Sequence, residues 1–431
     1  MIAYAKHLPA GAIPASDVRT WGVAESERWR KARAPIVFAP AAGSWILAVL
    51  VTVSLALILR DGGPADPVGT AWRFYPAAVL LVALPLWYRF LPAAAAVAAA
   101  VLALESAAAL ARGPGVVLVF LMAVWSLAGA LLRLRARRRQ ERLVLAAAGT
   151  ARFPLPDRLP SGQEGRGNTR LLVGAFLCLV AAGVLVDGLV DDLGSPPGSA
   201  PYDAVGQQRI ALVLLVSGTT LLGRGWAADL AVRRLYAQDQ PALVVGVRIA
   251  PTGHFWLLPD ADDTTGRPLV CYRPRREDTH GGAQLLASGA AEAARDGLHD
   301  IDARAEPFEA VLHGVPREGA EVVLECAVHE GYRSIYSQVT GVPLLPRRRH
   351  RLGAWSPSGV SYRETAEGRR AREEERRREH ERLLKSTRPS KAKRATATGT
   401  AGTTASGGGC GGGGGGCGGD GCGGGCGGGC G

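Results

Sequence analysis

The chain has 431 residues, which is enough for two or three domains, so a membrane part and a separate soluble part fit within it. Hydrophobic residues make up 47% of the chain and charged residues 20%, and the two classes are segregated along it. This segregation excludes a single soluble globule and indicates a membrane protein. Much of the net charge of +12 flanks apolar runs, which favours lipid headgroups over nucleic acid as its partner.

Residues 1–33 are mixed and polar, and we assign them to a short cytoplasmic N-terminal segment. The apolar run that follows is too long and lies too far along the chain for a cleaved secretory signal. We therefore expect this run to stay in the membrane as an anchor.

Residues 34–226 hold the apolar runs, and they predict an α-helical bundle of about six transmembrane helices. Inside a bilayer the backbone must satisfy its own polar groups, so an uncharged run of about 20 residues predicts a spanning helix. Two runs, 74–88 and 210–223, are shorter, but arginines flank both and can extend toward headgroups. The predicted spans are 38–59, 74–91, 92–111, 114–132, 171–190 and 208–226.

The distribution of arginine predicts the orientation of this bundle, because short cytoplasmic loops collect basic residues and short external loops do not. Four basic residues between positions 28 and 33 precede the first span, and ten arginines lie from Arg133 to Arg170. The connection 191–208 holds three aspartates and no basic residue. We therefore expect both termini in the cytoplasm and the protein in the cell (inner) membrane. A re-entrant hairpin formed by the second and third segments would leave this orientation unchanged.

Glu105 is an ionisable residue well inside the third predicted span. A charged side chain at that depth costs about 2.5 to 3.5 kcal/mol on insertion scales, so it needs an explanation. One explanation is a proton or cation relay. The others are a protonated carboxyl hydrogen-bonded to a neighbouring helix, or a position nearer the outer interface. The sequence offers no second acid or histidine at matching depth, which favours the latter two.

The stretch from Arg133 to Arg142 (RLRARRRQER) is expected to continue the fourth span as a helix along the cytoplasmic surface. There it would contact anionic lipid headgroups, to which each basic residue contributes about 1 kcal/mol. The alternative is an RNA-binding surface. The stretch lacks aromatic residues for stacking on nucleobases, so nucleic acid is not expected as a partner.

Residues 240–351 predict a small β-rich cytoplasmic domain, because short runs rich in Val, Leu and aromatics alternate with turn residues. Five or six such runs suit a small barrel or sandwich. Within this domain, the Ala-rich residues 282–300 predict one helix. We expect the domain to bind a ligand or a protein partner whose identity the residues do not reveal.

The same domain holds no recognisable catalytic motif. Its aspartates at 260, 262 and 263 could offer carboxylates to Ca²⁺, but the twelve-residue loop with its terminal Glu is absent, which favours a solvated turn. The remaining candidate ligands lack the paired spacing of a zinc site and are expected to be packing or surface residues. They are His254, His313, His329, Cys271 and Cys326.

Residues 362–386 are densely charged and predict an exposed helical spacer, supported by the i,i+4 pairs Glu373–Arg377 and Glu374–Arg378. Residues 387–431 predict a disordered linker and tail. The stretch 407–431 contains 19 Gly and five Cys, so it cannot bury apolar area to offset the backbone entropy of glycine.

The tail cysteines suggest a soft metal as the one candidate cofactor of this chain. Thiolates favour Cu(I) and Zn²⁺, and glycine lets any four of the sulfurs converge. The alternative is expansion of a GC-rich codon repeat, since zinc sites normally use tighter C-x-x-C pairs. The candidate ligands are Cys410, Cys417, Cys422, Cys426 and Cys430.

With its helix pattern and this tail, the chain resembles a loose class of uncharacterised multi-pass membrane proteins of high-GC bacteria that end in Gly/Cys-rich repeats. The resemblance covers the stretch 407–431 and the general layout, and it implies no activity.

Our leading interpretation is a non-enzymatic membrane anchor that presents its β domain for partner or ligand binding. The alternative is metal (Cu/Zn) handling or transport through the tail. A membrane enzyme would rest on Glu105 and scattered histidines alone.

Overall fold

The computed structural model of the chain divides into two units, Met1–Arg370 and Ala371–Gly431. In the second unit, Glu374 and Arg378 form the i,i+4 ion pair expected from their spacing, with nitrogen and oxygen 3.8 Å apart. Most of the charged spacer and the whole tail lie outside the described residues. The described residues are 3–9, 17–61, 72–156, 165–194, 204–250, 253–263, 266–273, 283–287, 300–317, 319–330, 334–344, 374, 378, 381 and 382.

Seven α-helices and nine strands are described in the first unit, and six of the helices fall on the six predicted spans. The helices are α1 (Val23–Lys31), α2 (Pro40–Asp61), α3 (Tyr75–Phe90), α4 (Pro92–Ala107), α5 (Pro114–Ala148), α6 (Asn168–Gly194) and α7 (Val205–Tyr236). Of the six that fall on the predicted spans, α2, α5, α6 and α7 are long and apolar enough to cross a membrane. Helices α3 and α4 have 16 residues each, about 24 Å, which is shorter than the roughly 30 Å hydrocarbon core.

Large apolar side chains cover the outer faces of the long helices. Leu172 and Leu179 of α6 are each 72% exposed, and Trp45 of α2 is 70% exposed. Water would penalise so much contiguous apolar surface, whereas acyl chains solvate it. The four long apolar helices therefore indicate a membrane-embedded protein.

Helices α2 to α5 pack around Tyr88, which is fully buried near the end of α3. Its hydroxyl donates a hydrogen bond to the carbonyl oxygen of Phe38, over 3.1 Å. Gly43 of α2 and Gly129 of α5 face the same ring, and a Cβ on either glycine would collide with it. These two glycines let the helices close around a large aromatic side chain.

Helices α6 and α7 form a hairpin in which small residues meet at seven-residue intervals. Between residues 168 and 192, the buried positions are Gly174, Ala181 and Gly188. Gly174 faces the buried Gly218 on α7, and the buried Gly225 on α7 faces Gly167 and Leu171 at the start of α6. In lipid no hydrophobic effect drives apolar side chains together. Small residues let the two backbones approach closely, and the resulting contacts hold such helices together.

This packing predicts that Gly174→Ala destabilises the hairpin. A Cβ at Gly174 would lie 2.5 Å from the backbone nitrogen of Leu222, so the helices must separate, at an expected cost of about 1 to 3 kcal/mol. The measurement is the thermal midpoint of the purified protein in a mild detergent. The matched control is Gly183→Ala on the same helix, where no described atom lies within 4 Å. Because alanine favours helix, the control should hold or raise the midpoint, and equal losses in both variants would contradict the packing.

The nine strands form one antiparallel sheet that curls into a half-barrel. The strands are β1 (Ala3–Ala5), β2 (Ala242–Ile249), β3 (Phe255–Leu258), β4 (Val270–Tyr272), β5 (Gln284–Leu286), β6 (Asp300–Ile301), β7 (Phe308–His313), β8 (Glu321–Glu330) and β9 (Ser334–Pro343). The strand order is β4-β3-β2-β7-β8, after which β8 pairs with both β1 and β9, β1 pairs with β6, and β9 pairs with β5. This agrees with the predicted β-rich domain.

Part of the predicted helix 282–300 is a strand instead. β5 pairs with β9, with Gln284 opposite Tyr336 and Leu286 opposite Ile335. Pairing with a distant strand has overridden the local helical preference of an Ala-rich segment, as sheet context commonly does. The most Ala-rich part of the segment, 288–299, lies outside the described residues.

The N-terminal segment is part of the sheet domain, which the sequence did not lead us to expect. β1 inserts between β8 and β6, with Tyr4 opposite both Val328 and Ile301. Trp21 and Trp29 are fully buried in the main core, and the Trp29 indole nitrogen donates to the carbonyl oxygen of Pro316. Residues from the two ends of the described first unit thus build one hydrophobic core.

Helix α5 enters this same core without a break. It extends past its apolar part, as predicted, and Val144, Ala147 and Ala148 near its end are buried against Trp21, Trp29 and the sheet. The basic stretch from Arg133 to Arg142 is therefore one segment of a 35-residue helix. Gln140 within it is buried, so the segment packs partly on protein, while Arg138 and Arg142 remain exposed.

A buried ion pair ties the α6–α7 hairpin to the sheet. Arg166, just before α6, lies 3.0 Å from the Glu321 carboxylate at the start of β8, and the two side chains are only 9% and 7% exposed. Arg166 also donates to the carbonyl oxygen of Gly341 on β9. The membrane helices and the sheet are thus joined at both α5 and α6.

Candidate functional site

The structure does not gather the residues that the sequence suggested as ligands. Cys410, Cys417, Cys422, Cys426 and Cys430 lie outside the described residues, so metal binding by the tail stays a prediction. Across the described part of the chain, no group of three His, Cys, Asp or Glu side chains is arranged to hold a metal ion.

The three aspartates that could offer carboxylates to Ca²⁺ lie in one loop, and each makes a different contact. Asp260 accepts a hydrogen bond from the backbone N–H of Asp262, and Asp263 accepts one from that of Gly266, over 2.7 Å. Such side-chain bonds to nearby N–H groups stabilise turns. Asp262 itself faces Lys6 of the N-terminal segment.

Glu105 lies in the last turn of α4, where its side chain is exposed on the outer face of the bundle. Its helix end adjoins the beginning of α3, since Arg112 in the following turn stacks over the ring of Phe74, 5.3 Å from its centre. Glu105 is therefore near a helix terminus rather than at mid-helix, which is the placement that an interfacial carboxylate requires.

The candidate histidines and cysteines of the sheet domain are likewise apart. Cys271 packs with Ala250 and Trp256, whereas Cys326 belongs to the main core. Burial raises the pKa of the Cys326 thiol, and the nearby Glu325 adds to this, so the group stays protonated and a poor nucleophile. Cys326 is a packing residue.

The densest polar cluster in the described sheet domain joins the N-terminal segment to two loops and a strand. Lys6 is buried and its ammonium donates to the carbonyl oxygens of Ala261 and Pro307, at 2.6 and 3.0 Å. The same ammonium lies 3.6 Å from Asp262. An ammonium held by two carbonyls and a carboxylate fixes the chain direction after β1.

His7 and Glu309 form the second half of this cluster. The His7 Nδ1 lies 3.2 Å from one Glu309 carboxylate oxygen, and the backbone N–H of Leu8 donates to the other over 2.9 Å. In return, the backbone N–H of Glu309 donates to the carbonyl of Lys6. Residues 6–8 are thus bound to β7 by backbone and side chain together.

These contacts shift both pKa values in directions that favour the ion pair. The hydrogen bond to Glu309 raises the pKa of His7, against an opposing effect of burial, and the charges of Glu309 and Asp262 add to the rise. Burial would raise the pKa of Glu309, but the bonds from His7 and Leu8 and the charges of His7 and Lys6 hold it below its usual value. The cluster can therefore carry an ionised pair in mildly acidic to neutral solution.

A second titratable pair lies buried near the centre of the sheet. His313 on β7 is 1% exposed, with its Nε2 3.8 Å from the Glu325 carboxylate on β8. Both ring nitrogens of His313 lack a hydrogen-bond partner among the described residues. A buried imidazole with unmade hydrogen bonds costs stability.

An aromatic recess lies inside the half-barrel beside β1. Tyr4 stacks on Phe308 with ring centres 4.3 Å apart, and Phe255 stacks on Tyr272 at 5.2 Å. The recess they line has a volume of about 10 Å³, the room that a single water molecule needs. The recess is therefore part of a packed core.

No protein-family model matches the chain, and neither does any curated protein or solved structure. The candidate site therefore rests on geometry alone. Sequence reasoning missed its N-terminal half because residues 1–33 look like a polar leader to a membrane helix. Two features of the sequence could have indicated this role. Tyr4 lies two residues before the basic pair Lys6–His7, and two tryptophans, Trp21 and Trp29, lie in an otherwise polar segment.

The cluster predicts a pH-dependent attachment of the N-terminal segment. Since the His7 pKa is raised, its contribution is complete below the ordinary value of 6.5 and is lost as pH rises through the raised value. Since the Glu309 pKa is lowered, its contribution is complete above 4.5 and is lost as pH falls through the lowered value. Hydrogen-exchange protection of residues 3–8 should therefore be greatest between pH 4.5 and 6.5 and fall severalfold once the pH rises through the raised pKa of His7.

The control for this prediction is His7→Gln, which keeps a donor for Glu309 but does not titrate. Its protection should stay level between about pH 6 and 8, after correction for intrinsic exchange. An unchanged pH profile in His7→Gln would exclude His7 as the titrating group.

Proposed function

We propose that the chain is a non-enzymatic, multi-pass protein of the cell (inner) membrane that holds its sheet domain at the cytoplasmic face for binding of a protein partner or ligand. The observation that carries this proposal is the continuity of α5. One helix begins as an apolar span and ends inside the core of the sheet domain. Such a join fixes the position of the domain on the membrane surface, which is what an anchor for recruitment needs.

The contacts of α3 favour six crossings over four. At its beginning, the Tyr75 hydroxyl donates to the carbonyl of Gln208 on α7, and at its end Phe90 lies under the guanidinium of Arg224. Helix α3 therefore runs beside the whole stretch of α7 between residues 208 and 224. If α7 spans the bilayer over this stretch, α3 spans it as well despite its 16 residues.

Charge placement favours the end nearest the sheet as the cytoplasmic one. Arg89, Arg133 and Arg224 lie at this end, as do the exposed arginines of the basic α5 segment. At the opposite end, Asp192 near the end of α6 accepts a hydrogen bond from the indole nitrogen of Trp72. This asymmetry follows the distribution expected when basic loops face the cytoplasm. The exposed α5 arginines remain the proposed contacts for anionic lipid headgroups.

Site-directed labelling distinguishes six crossings from a re-entrant α3–α4 hairpin. Ala93 is exposed just after the α3–α4 connection, so Ala93→Cys should react with a membrane-impermeant maleimide only from the cytoplasmic side. The control is Gly206→Cys at the exposed start of α7, which should react only from the outside. Mass spectrometry of each peptide separates these reactions from those of native cysteines. Labelling at position 93 from the outside would contradict six crossings.

The anchoring role is tested by Ala147→Asp, which places a carboxylate in the core shared by α5 and the sheet. An unpaired buried charge costs several kcal/mol, a large fraction of the stability of a small domain. We expect the variant to stay in the membrane while limited proteolysis removes the sheet domain. The matched control is Ala146→Asp, one residue away and exposed, which should resist proteolysis like the unsubstituted protein.

Complementation of a deletion strain then tests the function itself. Ala146→Asp should restore the phenotype, and Ala147→Asp should not. Full restoration by a protein whose sheet domain is proteolysed in the same cells would contradict the proposal.

A further inference from the structure

Three arginines from three helices converge where α3 ends. Arg133 of α5 donates to the carbonyl oxygen of Tyr88 and, over 3.4 Å, to that of Arg89, and it covers the Tyr88 ring. These carbonyls belong to the last turn of α3, where no further helical N–H can bond them. Arg133 thus closes the helix end and belongs to the framework of this region.

The other two arginines share one aromatic ring. The guanidinium carbon of Arg224 on α7 lies 4.1 Å from the centre of the Phe90 ring, and that of Arg89 on α3 lies 5.3 Å from the same centre. The two charges are therefore less than about 10 Å apart, within one Debye length even in water at 0.1 M salt. The negative face of the ring offsets part of their repulsion. An anion bound to both guanidinium groups would offset more.

Arg89 also carries a donor that calls for an acceptor. Its Nε is buried, and among the described residues no oxygen accepts a hydrogen bond from it. A buried donor left in this state is costly, and in native proteins such groups usually meet a partner, a water or a bound ion. The donor and the two neighbouring charges point to the same kind of ligand, an oxyanion.

The position of the site indicates where the oxyanion comes from. Leu91, the residue between α3 and α4, packs against Gly223 of α7, so the site lies at the contact between the bundle and the α6–α7 hairpin. Trp226, two residues beyond Arg224, is 58% exposed, as is typical of an aromatic residue at headgroup depth. Leu86, one turn before Phe90, is exposed on the same helix. Acyl chains would therefore lie beside an apolar surface.

We propose that Arg89 and Arg224 bind the phosphate of an anionic phospholipid, with Phe90 positioning the two guanidinium groups and the acyl chains lying against α3 and α7. Basic pockets between membrane helices bind lipid headgroups in this way. The site differs from the exposed α5 arginines, which face the membrane surface as a diffuse charge. It does not depend on the proposed function of the sheet domain or on which face of the membrane is cytoplasmic.

The test is saturable lipid binding by the full-length protein in dodecyl maltoside micelles. Phosphatidylglycerol is titrated against phosphatidylcholine, and native mass spectrometry counts the retained lipids. We expect one phosphatidylglycerol per chain to be retained preferentially. Each basic residue near an anionic lipid contributes about fivefold in affinity, so Arg89→Gln with Arg224→Gln should weaken binding about 30-fold. Arg89→Lys with Arg224→Lys keeps both charges and should recover part of the loss.

The matched control is Arg233→Gln with Arg234→Gln, which removes two exposed charges from the same helix as Arg224. It should change the affinity less than twofold. Should the double glutamine variant fail to fold, Arg224→Gln alone should weaken binding about fivefold. Equal losses in the control would show diffuse charge rather than a site. Retention of phosphatidylcholine as strongly as phosphatidylglycerol, or full displacement by about 10 mM inorganic phosphate, would overturn the assignment to an anionic lipid.

Discussion

Helix α5 belongs to two hydrophobic cores, and this double membership governs the architecture. Its first half packs against Tyr88 and the other bundle helices, and its last turns pack against Trp21, Trp29 and the sheet. A helix cannot bend between the two without breaking consecutive backbone hydrogen bonds. The bundle and the sheet domain are therefore joined rigidly at α5, and the ion pair between Arg166 and Glu321 adds a second join at α6.

Between the two cores, α5 is rich in arginine. Gln140 and Arg133, seven residues apart on α5, are both buried, but the exposed arginines between them, at 135, 138 and 139, are polar enough to end the lipid-facing part of the helix. Arg133 points back to the carbonyls at the end of α3. Its charge thus complements the negative end of that helix dipole. One basic segment serves both packing and capping.

The sequence predicted the helices well because the constraint on each is local. An apolar run of sufficient length has one stable location, and residues 171–190 alone are enough to place α6. The sequence predicted that the domain is rich in β-strands, but it did not predict that residues from the N-terminal segment help to build it. Tyr4 stacks on Phe308 from the far end of the chain, and Trp21 and Trp29 reach the same core. No local periodicity records such contacts. The strand at Gln284–Leu286 was missed for the same reason, since its partner β9 begins only at Ser334.

The helices and the sheet domain bury different kinds of side chain, because lipid surrounds the helices and water surrounds the sheet domain. In α6 and α7 the buried residues include Gly174, Gly218 and Gly225, whereas large side chains such as Phe176 face outward. In the sheet domain the large side chains face inward, and the aromatic interior leaves room for about one water. The charged side chains that interrupt these two kinds of packing are the cluster of Lys6, His7 and Glu309 and the arginines at the end of α3.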